Sequence, residues 1–293
     1  LIDARYLDGT FSGIGTYSSQ MLEHLAKVDQ ENEYLVLVRP GFDEDIPVGE
    51  NFKFFSYRHA PVSLATLTKL GGMVDDLGVD LMHSFFPLAP LWMKTPLMIT
   101  MHDLQPLVDP DFSGHRPFPM HWAYSGFYRL IYPAAIRRAK WIVTVSYHTR
   151  DAMAEIFPDS MPKLVVVTSG LDPSVAQPVE GDPEEVLGEY GLNGRPYLLY
   201  YGSTRPNKNL PTAVQGFAEY LREHDDEKTE LILILKKDRF FRDVRRTLRS
   251  EGIEDRVRVM DQVTDQERRV LLAHAKAFLF ATKYEGFGFP PLE

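Results

Sequence analysis

The sequence contains no cysteine, no long apolar run and no excess of basic residues. Without cysteine, the chain can have neither a disulfide framework nor a cysteine-based zinc site. No apolar run approaches the ~20 residues that a transmembrane helix needs, and no signal peptide is recognisable. The net charge of −9 and the isoelectric point of about 5.5 argue against a nucleic-acid partner, since phosphate binding requires clustered positive charge. We expect a cytoplasmic protein that makes at most peripheral contact with the inner face of the membrane.

Patterns of metal ligands are also missing. The nine histidines form no H-E-x-x-H pair. Two literal D-x-D patterns, at residues 43–45 and 109–111, lie in predicted loops without any supporting context. We therefore predict no structural metal, no catalytic metal and no cofactor.

Apolar segments alternate with amphipathic ones along the whole chain of 293 residues, which is long enough for two domains. Buried strands separated by helices predict parallel, doubly wound sheets, so the fold class is α/β with two tandem Rossmann-like domains. The predicted strands are 1–6, 34–38, 52–56, 81–84, 97–101, 141–146, 164–168, 197–201, 231–235, 257–260 and 277–281.

A segment rich in proline, glycine and acidic residues, 172–182 (DPSVAQPVEGD), is the predicted linker. It separates a first domain, 1–175, from a second domain, 176–293. The second domain has four predicted strands, whereas a complete Rossmann-like domain commonly has about six. The chain begins with Leu1 inside a predicted strand. We therefore expect that the natural chain begins earlier and that residues follow Glu293.

The last stretch, 278–293 (FLFATKYEGFGFPPLE), reads as a buried strand, a glycine turn and the first turn of a helix. Gly286 and Gly288 would let the backbone approach a ligand closely and adopt positive φ, and the helix amides would face an anion. Glu285 and Glu293 lie on either side of the turn. The alternative is an ordinary turn after a strand, with Glu293 as an acidic residue favoured by the helix dipole.

Strand order predicts that a second segment lies beside this turn. In a sheet of order 3-2-1-4, the first and fourth strands of the second domain are neighbours, so their carboxyl ends bring Lys208 and Glu285 together. Lys208 and Arg205 precede a predicted helix, where two cations and free amides can hold a diphosphate. The alternative is that Lys208 is a solvated surface charge.

Both segments resemble sequence motifs of a known family. Residues 284–293 (YEGFGFPPLE) resemble the E-x7-E signature of the retaining glycosyltransferases of family 4, also called group 1. The segment that begins at Gly202 (GSTRPNKN) is similar to the G-x3-P-x-K-N turn of the same enzymes, with Lys208 at the lysine position. Many relatives place an arginine directly before that lysine or just after the glycine. This chain has Asn207 and Ser203 there instead, so Arg205 departs from the pattern.

The first domain carries shorter resemblances. Gly13 and Gly15 (FSGIGTY) resemble the family's glycine loop, although a plain tight turn explains them as well. His102 lies in MHDLQPL, which is similar to the family's THDxxPL, in which the histidine lines the sugar pocket. The alternative is a histidine bonded to a backbone carbonyl, with Asp103 capping a turn. Ser146 resembles the end of the family's TVS strand, and a helix N-cap is its alternative.

The resemblance implies the GT-B architecture, with a nucleotide diphospho-sugar bound mainly by the second domain and a glycan or lipid-linked acceptor arriving from the first. The lysine would contact the leaving phosphates, the first glutamate and the amides after it would hold sugar hydroxyls, and the last glutamate would hold the ribose. These implied catalytic residues are Lys208, Glu285 and His102, and the implied donor contacts are Arg205, Gly202, Gly286, Phe287, Gly288, Glu293, Gly13 and Gly15.

The resemblance also implies retention of configuration, which requires either a carboxylate nucleophile or same-face attack in which the leaving phosphate takes the proton of the acceptor. The family is usually assigned the second route. No residue is identifiable as a nucleophile. The overall likeness favours GDP-mannose as donor, with UDP- and dTDP-hexoses as alternatives. The other candidate functions are a sugar-nucleotide epimerase or hydrolase and a non-catalytic nucleotide-sugar-binding protein. Neither glycine segment is a G-x-G-x-x-G, which argues against an NAD-dependent dehydrogenase.

Two helical segments have unusual compositions. The run 236–249 (KKDRFFRDVRRTLR) is strongly basic, and we interpret it as a solvated helix face rather than a surface for anionic lipid. The segment 120–139 is rich in aromatic residues, including Trp122, Tyr124, Phe127 and Tyr128. We predict that these side chains belong to the core rather than to an acceptor groove.

Overall fold

The computed structural model describes residues 1–7, 13–43, 46–109, 112, 119–171, 175, 177, 182–224 and 228–293. The chain divides into two compact units, Leu1–Ser169 and Gly170–Glu293. Most of the predicted linker, 172–182, lies outside the described residues. Across the described ranges, every helix is too short or too polar to cross a bilayer.

The first unit is built on a seven-stranded sheet of order β3-β2-β1-β4-β5-β6-β7, in which every neighbouring pair is parallel. Helices follow most strands, as parallel pairing requires. The strands are β1 (Ile2–Asp3), β2 (Tyr34–Val38), β3 (Phe52–Ser56), β4 (Met82–Ser84), β5 (Leu97–Met101), β6 (Trp141–Thr144) and β7 (Leu164–Val166). The helices are α1 (Gly13–Val28), α2 (Leu64–Thr68), α3 (Leu70–Asp76), α4 (Gln105–Val108), α5 (Met120–Arg138) and α6 (Tyr147–Ile156), followed by a 3₁₀ helix (Pro158–Lys163).

The second unit is built on a smaller parallel sheet of order β10-β9-β8-β11. Its strands are β8 (Tyr197–Tyr201), β9 (Glu230–Ile234), β10 (Val257–Met260) and β11 (Ala277–Phe278). Its helices are α7 (Pro183–Glu189), α8 (Leu210–His224), α9 (Phe241–Glu251) and α10 (Asp265–His274), with 3₁₀ turns at Pro206–Lys208 and Glu254–Arg256. The predicted class is confirmed: both sheets are parallel, and each places its first strand between the second and the fourth strand of its unit.

Apolar side chains from both faces of each sheet form the cores. In the second unit, one cluster contains Leu231, Leu233 and Val214, and the opposite cluster contains Ile232 and Leu271, so alternate residues of β9 serve the two faces. A strand that is apolar on both faces has to be covered on both, which is why β8 and β9 read as continuous apolar runs.

Several predicted strands are shorter in the structure: those predicted at 1–6, 141–146 and 164–168 end at Asp3, Thr144 and Val166. The strand predicted at 277–281 pairs with β8 only at Ala277 and Phe278, and neither residue is buried. Beyond Leu279, which donates to the carbonyl of Leu199, the backbone bonds instead to the loop after β8. Between β3 and β4, one helical segment is divided into α2 and α3 at Lys69.

The aromatic helix α5 is only partly core, so that prediction is wrong in part. Tyr128 is 3% exposed and belongs to the core cluster, and Tyr124 and Phe127 pack against it. Trp122 is 68% exposed. The helix presents Trp122 to solvent because this residue precedes Tyr124 and Tyr128 by two and six positions, which places it on another face of the helix.

The basic helix α9 agrees with the interpretation as a solvated face. Val244 and Leu248, four positions apart, are its buried residues. The arginines lie on the outer side, where Arg249 pairs with Glu254 at 3.2 Å between Nε and Oε1.

Candidate functional site

A lysine and a glutamate from two different loops form an ion pair in the second unit. The Nζ of Lys208 lies 2.5 Å from the Oε1 of Glu285, and the two side chains are 22% and 21% exposed. Lys208 ends the 3₁₀ turn after β8, and Glu285 follows β11, which is the neighbour of β8 in the sheet. The structure therefore brings together the two residues that the strand order predicted to be close.

Hydrogen bonds fasten the two loops to each other. The Oγ1 of Thr282 lies 2.9 Å from the Oε1 of Glu285 and 2.9 Å from the carbonyl of Asn207. The backbone amide of Lys283 donates to the same Asn207 carbonyl at 2.8 Å. Residues 281–283 thus bond to the loop that carries Lys208 instead of continuing the strand. These bonds shorten β11 and fix the position of Glu285.

Asn209 joins this loop to helix α8. It is the only non-glycine residue with positive φ, 52°, in the described part of the chain. Its Nδ2 donates to the carbonyl of Ala281 at 3.1 Å, and its Oδ1 accepts from the Oγ1 of Thr212 at 3.0 Å. Asparagine is one of the few residues that tolerate this backbone conformation. One side chain therefore holds the start of α8 against the segment after β11.

The first residues of the loop have different surroundings. Gly202 adopts a φ of 139°, a conformation that other residues rarely take, and its amide donates to the carbonyl of Ile234 at 3.1 Å. Arg205 precedes the 3₁₀ turn and is exposed, and it takes part in none of the ion pairs among the described residues. The loop therefore presents Lys208 in an ion pair and Arg205 as a solvated cation.

The glycine turn follows the predicted conformation at one position only. Gly288 has a φ of 85°, whereas Gly286 is not among the glycines with positive φ, so that part of the prediction is wrong. The ring centroids of Phe287 and Phe289 lie 4.8 Å apart. At the predicted helix start, the amides of residues 292 and 293 both donate to the carbonyl of Phe289 and form a single turn.

Glu293 contacts two residues that the sequence did not single out. The hydroxyl of Tyr201, at the end of β8, donates to the Oε2 of Glu293 at 2.5 Å. The guanidinium of Arg268, in the first turn of α10, lies 3.4 Å from the same oxygen. Burial raises the pKa of Tyr201 well above its usual range, and the bond to Glu293 raises it further. The position of Tyr201 at the carboxyl end of a strand was the available signal.

In the first unit, His102 follows β5 and packs against helix α1. Its Nε2 lies 2.8 Å from the carbonyl oxygen of Phe85, and its ring meets the ring of Tyr17 edge-on at 4.8 Å. Burial lowers the pKa of His102 to about 4, so the ring is neutral at pH 7. Because a carbonyl only accepts, Nε2 carries the proton and Nδ1 keeps a lone pair that can accept from a hydroxyl.

The alternative interpretation of this motif, in which both residues serve the fold, also agrees with the contacts. His102 bonds a backbone carbonyl, and the Oδ1 of Asp103 accepts from the amide of Gln105 at 3.0 Å, which caps the turn into α4. A ligand contact would use the opposite ring nitrogen of His102. The two interpretations are therefore chemically compatible.

Helix α1 begins at Gly13 and includes Gly15, which is buried. A Cβ built on Gly13 would meet no atom of the described residues within 4 Å. The preceding residues of the motif, Phe11 and Ser12, lie outside the described residues. Ser146 is the N-cap of α6, where its side chain accepts from the amide of Thr149 at 3.0 Å.

Metal ligands are not assembled in the part of the chain that the structure describes, where no group of three or more His, Asp or Glu side chains is arranged to hold an ion. Each D-x-D pattern is only partly covered, since residues 44–45 and 110–111 lie outside the described ranges.

The chain matches two family profiles. The profile described as Glycosyltransferase Family 4 matches residues 11–175, and the profile described as Glycosyl transferases group 1 matches residues 195–293. Together they match most of each compact unit.

Curated relatives are similar at low identity. The O-antigen chain mannosyltransferase RfbU of Salmonella typhimurium is 22% identical over 67% of this chain and 48% of its own length. The O-antigen chain mannosyltransferase B of Escherichia coli is 25% identical over 96% of this chain and 76% of its own length. The GDP-mannose:cellobiosyl-diphosphopolyprenol alpha-mannosyltransferase of Xanthomonas oryzae is 22% identical over 58% and 45%. The match thus spans about half the length of two of these relatives.

Solved structures share the fold. Sucrose-phosphate synthase from Thermosynechococcus elongatus superimposes with a TM-score of 0.70 at 16% identity, over 98% of this chain and 76% of that chain. HepE of Anabaena, solved in complex with UDP and glucose, superimposes with a TM-score of 0.66 at 15% identity, over 98% and 75%.

Proposed function

The chain belongs to glycosyltransferase family 4, and on that basis we propose that it transfers a hexose from a nucleotide diphospho-sugar to a glycan or lipid-linked acceptor. The observation that carries this proposal is the ion pair of Lys208 and Glu285 at 2.5 Å. It combines a cation for a leaving phosphate with a carboxylate for sugar hydroxyls at the carboxyl end of β8, where ligands of such sheets bind.

The proposed chemistry needs positive charge on the leaving group. As the glycosidic bond to the diphosphate breaks, negative charge grows on the phosphate oxygens, and a fixed cation stabilises this change most in the transition state. The ammonium of Lys208 has three donors, of which Glu285 takes one. The remaining donors would bind the phosphate, with the solvated guanidinium of Arg205 as a second ligand. In this scheme no divalent ion is required.

The other residues would hold the donor. The carboxylate of Glu285 and the amides of Gly286, Phe287 and Gly288 would accept from and donate to sugar hydroxyls, and Glu293 would bind the ribose. In the first unit, the neutral His102 would accept a sugar hydroxyl at Nδ1, while Gly13 and Gly15 allow close approach of a ligand. Gly202 would shape the loop that carries Lys208.

We propose retention of configuration by same-face attack, in which the leaving phosphate receives the proton of the acceptor hydroxyl. This scheme assigns no side chain as nucleophile. NMR of the glycosylated acceptor gives the anomeric configuration of the new glycosidic bond directly. A product with inverted anomeric configuration would contradict this scheme.

The proposed donor is GDP-mannose. Three curated relatives are named as mannosyltransferases, and the name of the Xanthomonas oryzae enzyme includes GDP-mannose. A UDP-hexose is the second candidate, because HepE was solved with UDP and glucose. The acceptor of the Xanthomonas oryzae enzyme is, by its name, a sugar on diphosphopolyprenol, which favours a lipid-linked acceptor here.

The test is a thermal-shift panel of GDP, UDP, ADP, dTDP and NAD on the full-length protein in EDTA. A nucleotide present at a hundred times its dissociation constant adds about 2.7 kcal/mol to stability, which is easily seen. We expect GDP to stabilise the wild type and to lose this effect with Lys208→Ala. Lys283→Ala is the matched control, because Lys283 is exposed and contributes to the loop through its backbone amide.

A shift with NAD alone, or equal shifts in both lysine variants, would contradict the proposal. Release of the nucleoside diphosphate from GDP-mannose, measured with and without a lipid-linked acceptor, then separates a transferase from a hydrolase. A transferase releases product at a higher rate when the acceptor is added.

A further inference from the structure

Glu293 is held by two side chains that have no role in the family motif. The hydroxyl of Tyr201 donates to its Oε2 at 2.5 Å, and the guanidinium of Arg268 lies 3.4 Å from the same Oε2. Among the described residues, no hydrogen bond or ion pair reaches the other oxygen, Oε1. One oxygen of the carboxylate is thus fixed, and the other keeps its lone pairs for a ligand.

Arg268 contacts Glu293 although its own hydrogen-bonding capacity is not fully used. Its guanidinium lies over the ring of Tyr201 at 5.0 Å from the centroid and pairs with Asp265 at 3.2 Å. Its Nε is buried and has no hydrogen-bond partner among the described residues. An unpaired buried donor is unfavourable, so the interactions with Tyr201 and Glu293 have to offset it. The arginine links α10 to the end of β8 and to the glutamate.

We propose that Tyr201 and Arg268 are positioning residues that fix Oε2 of Glu293 and present Oε1 to a ribose hydroxyl of the bound nucleotide. This inference rests on the proposed function, in which Glu293 binds the ribose. A carboxylate that is ordered before the ligand arrives loses less conformational freedom on binding. Tyr201 and Arg268 thereby determine how strongly the protein prefers a ribonucleotide to a deoxyribonucleotide.

The test compares a nucleotide with its deoxy forms. Isothermal titration calorimetry of the full-length protein gives the Kd of GDP and UDP and of their 2′-deoxy and 3′-deoxy forms. The variant is Tyr201→Phe, which removes only the donated hydrogen bond. The matched control is Tyr190→Phe, because the hydroxyl of Tyr190 also donates to a glutamate of this unit, Glu267, at 3.0 Å.

We expect Tyr201→Phe to weaken binding of the ribonucleotide about tenfold, as for one hydrogen bond to a charged group, and to leave the Kd of the deoxy form unchanged. The Tyr190→Phe control should keep the wild-type ratio. Equal ratios in Tyr201→Phe and the wild type would overturn the inference while the proposed function stands. Absence of binding of every nucleoside diphosphate to the wild type would instead overturn the proposed function.

A second variant decides the matter if Tyr201→Phe lowers the Tm and loses all nucleotide binding. Arg268→Gln removes the other contact with Oε2 and keeps a polar side chain beside Asp265. It should also lower the ratio of deoxy to ribo Kd. A folded Arg268→Gln protein with the wild-type ratio would overturn the inference.

Discussion

Acid should destabilise the first unit through two buried histidines. The Nε2 of His83, on β4, lies 2.9 Å from the Oγ1 of Thr100, and burial lowers the pKa of His83 to about 3. Burial likewise lowers the pKa of His102 to about 4. The ordinary value is 6.5, so the unfolded chain takes up these protons first. Both groups stabilise the fold fully above pH 6.5, and this contribution decreases as the pH falls toward 4 and 3.

The size of this loss of stability follows from the pH interval between the unfolded and the folded pKa values. Each pH unit below the unfolded pKa removes about 1.4 kcal/mol for each histidine that stays neutral in the fold. At pH 5.0, which is about 1.5 units below the unfolded pKa, the contributions of His83 and His102 to the free energy of unfolding should each be about 2 kcal/mol smaller. The free energy of unfolding of the first unit should therefore be about 4 kcal/mol lower at pH 5.0 than at pH 7.5. Carboxylates with lowered pKa values, such as Asp75, change the stability only near and below the ordinary pKa of an aspartate, 3.8.

Tryptophan fluorescence can measure this unit by itself. The three tryptophans of the chain, Trp92, Trp122 and Trp141, all lie in the first unit. Urea titrations at the two pH values, followed at an excitation wavelength selective for tryptophan, give the difference by linear extrapolation.

Variants identify the groups responsible. His83→Gln keeps a polar partner for Thr100 and should reduce the pH-dependent loss to about 2 kcal/mol. His24→Gln, which replaces an exposed histidine of α1, should show the loss of the wild type. A wild-type loss below about 1 kcal/mol, or an undiminished loss in His83→Gln, would refute the reasoning from burial.

Three further changes test the backbone and the buried charges. Arg5→Met leaves the carboxylate of Asp3 buried without its partner, whose guanidinium lies 2.7 Å away, and should destabilise the first unit by about 3–5 kcal/mol in urea titrations. Gly71→Ala places a Cβ 2.0 Å from the carbonyl oxygen of Trp92 and should cost roughly 1–3 kcal/mol in the same assay; an unchanged midpoint would contradict the packing. Gly288→Ala has room beside the neighbouring ring but is strained at a φ of 85°, so its Tm should fall by the equivalent of about 1–2 kcal/mol.

The sequence predicted parallel, doubly wound sheets in both domains, the neighbouring positions of the first and fourth strands in the second, and the meeting of Lys208 with Glu285. These features follow from rules that depend on long-range topology and not on side-chain detail: apolar strands that alternate with helices pair in parallel, and the first and fourth strands become neighbours. The carboxyl ends of β8 and β11 then have to lie at one edge of the sheet. A residue that directly follows such a strand can be placed without knowing its contacts.

The sequence did not predict features that depend on competition for hydrogen bonds. The segment after Phe278 is as apolar as a strand, yet Thr282 and Lys283 bond to the carbonyl of Asn207 rather than to β8. Nothing in the local pattern distinguishes these two sets of partners. Trp122 was assigned to the core for a similar reason, because composition does not say which face of an amphipathic helix meets the sheet.

The ion pair of Lys208 and Glu285, at the carboxyl edge of the second sheet, contributes little to stability at its observed exposure. Pairs that water reaches are worth about 0–1 kcal/mol, so Lys208 and Glu285 are not explained by the folding of this unit. Their loops are fastened independently, through Thr282 and Asn207. Replacement of Lys208 should therefore leave the Tm of the unliganded protein nearly unchanged while it removes the stabilisation by nucleotide. The proposed role requires this separation of stability from binding. A cation that binds phosphate has to be held in place and still have hydrogen-bond donors left for the phosphate.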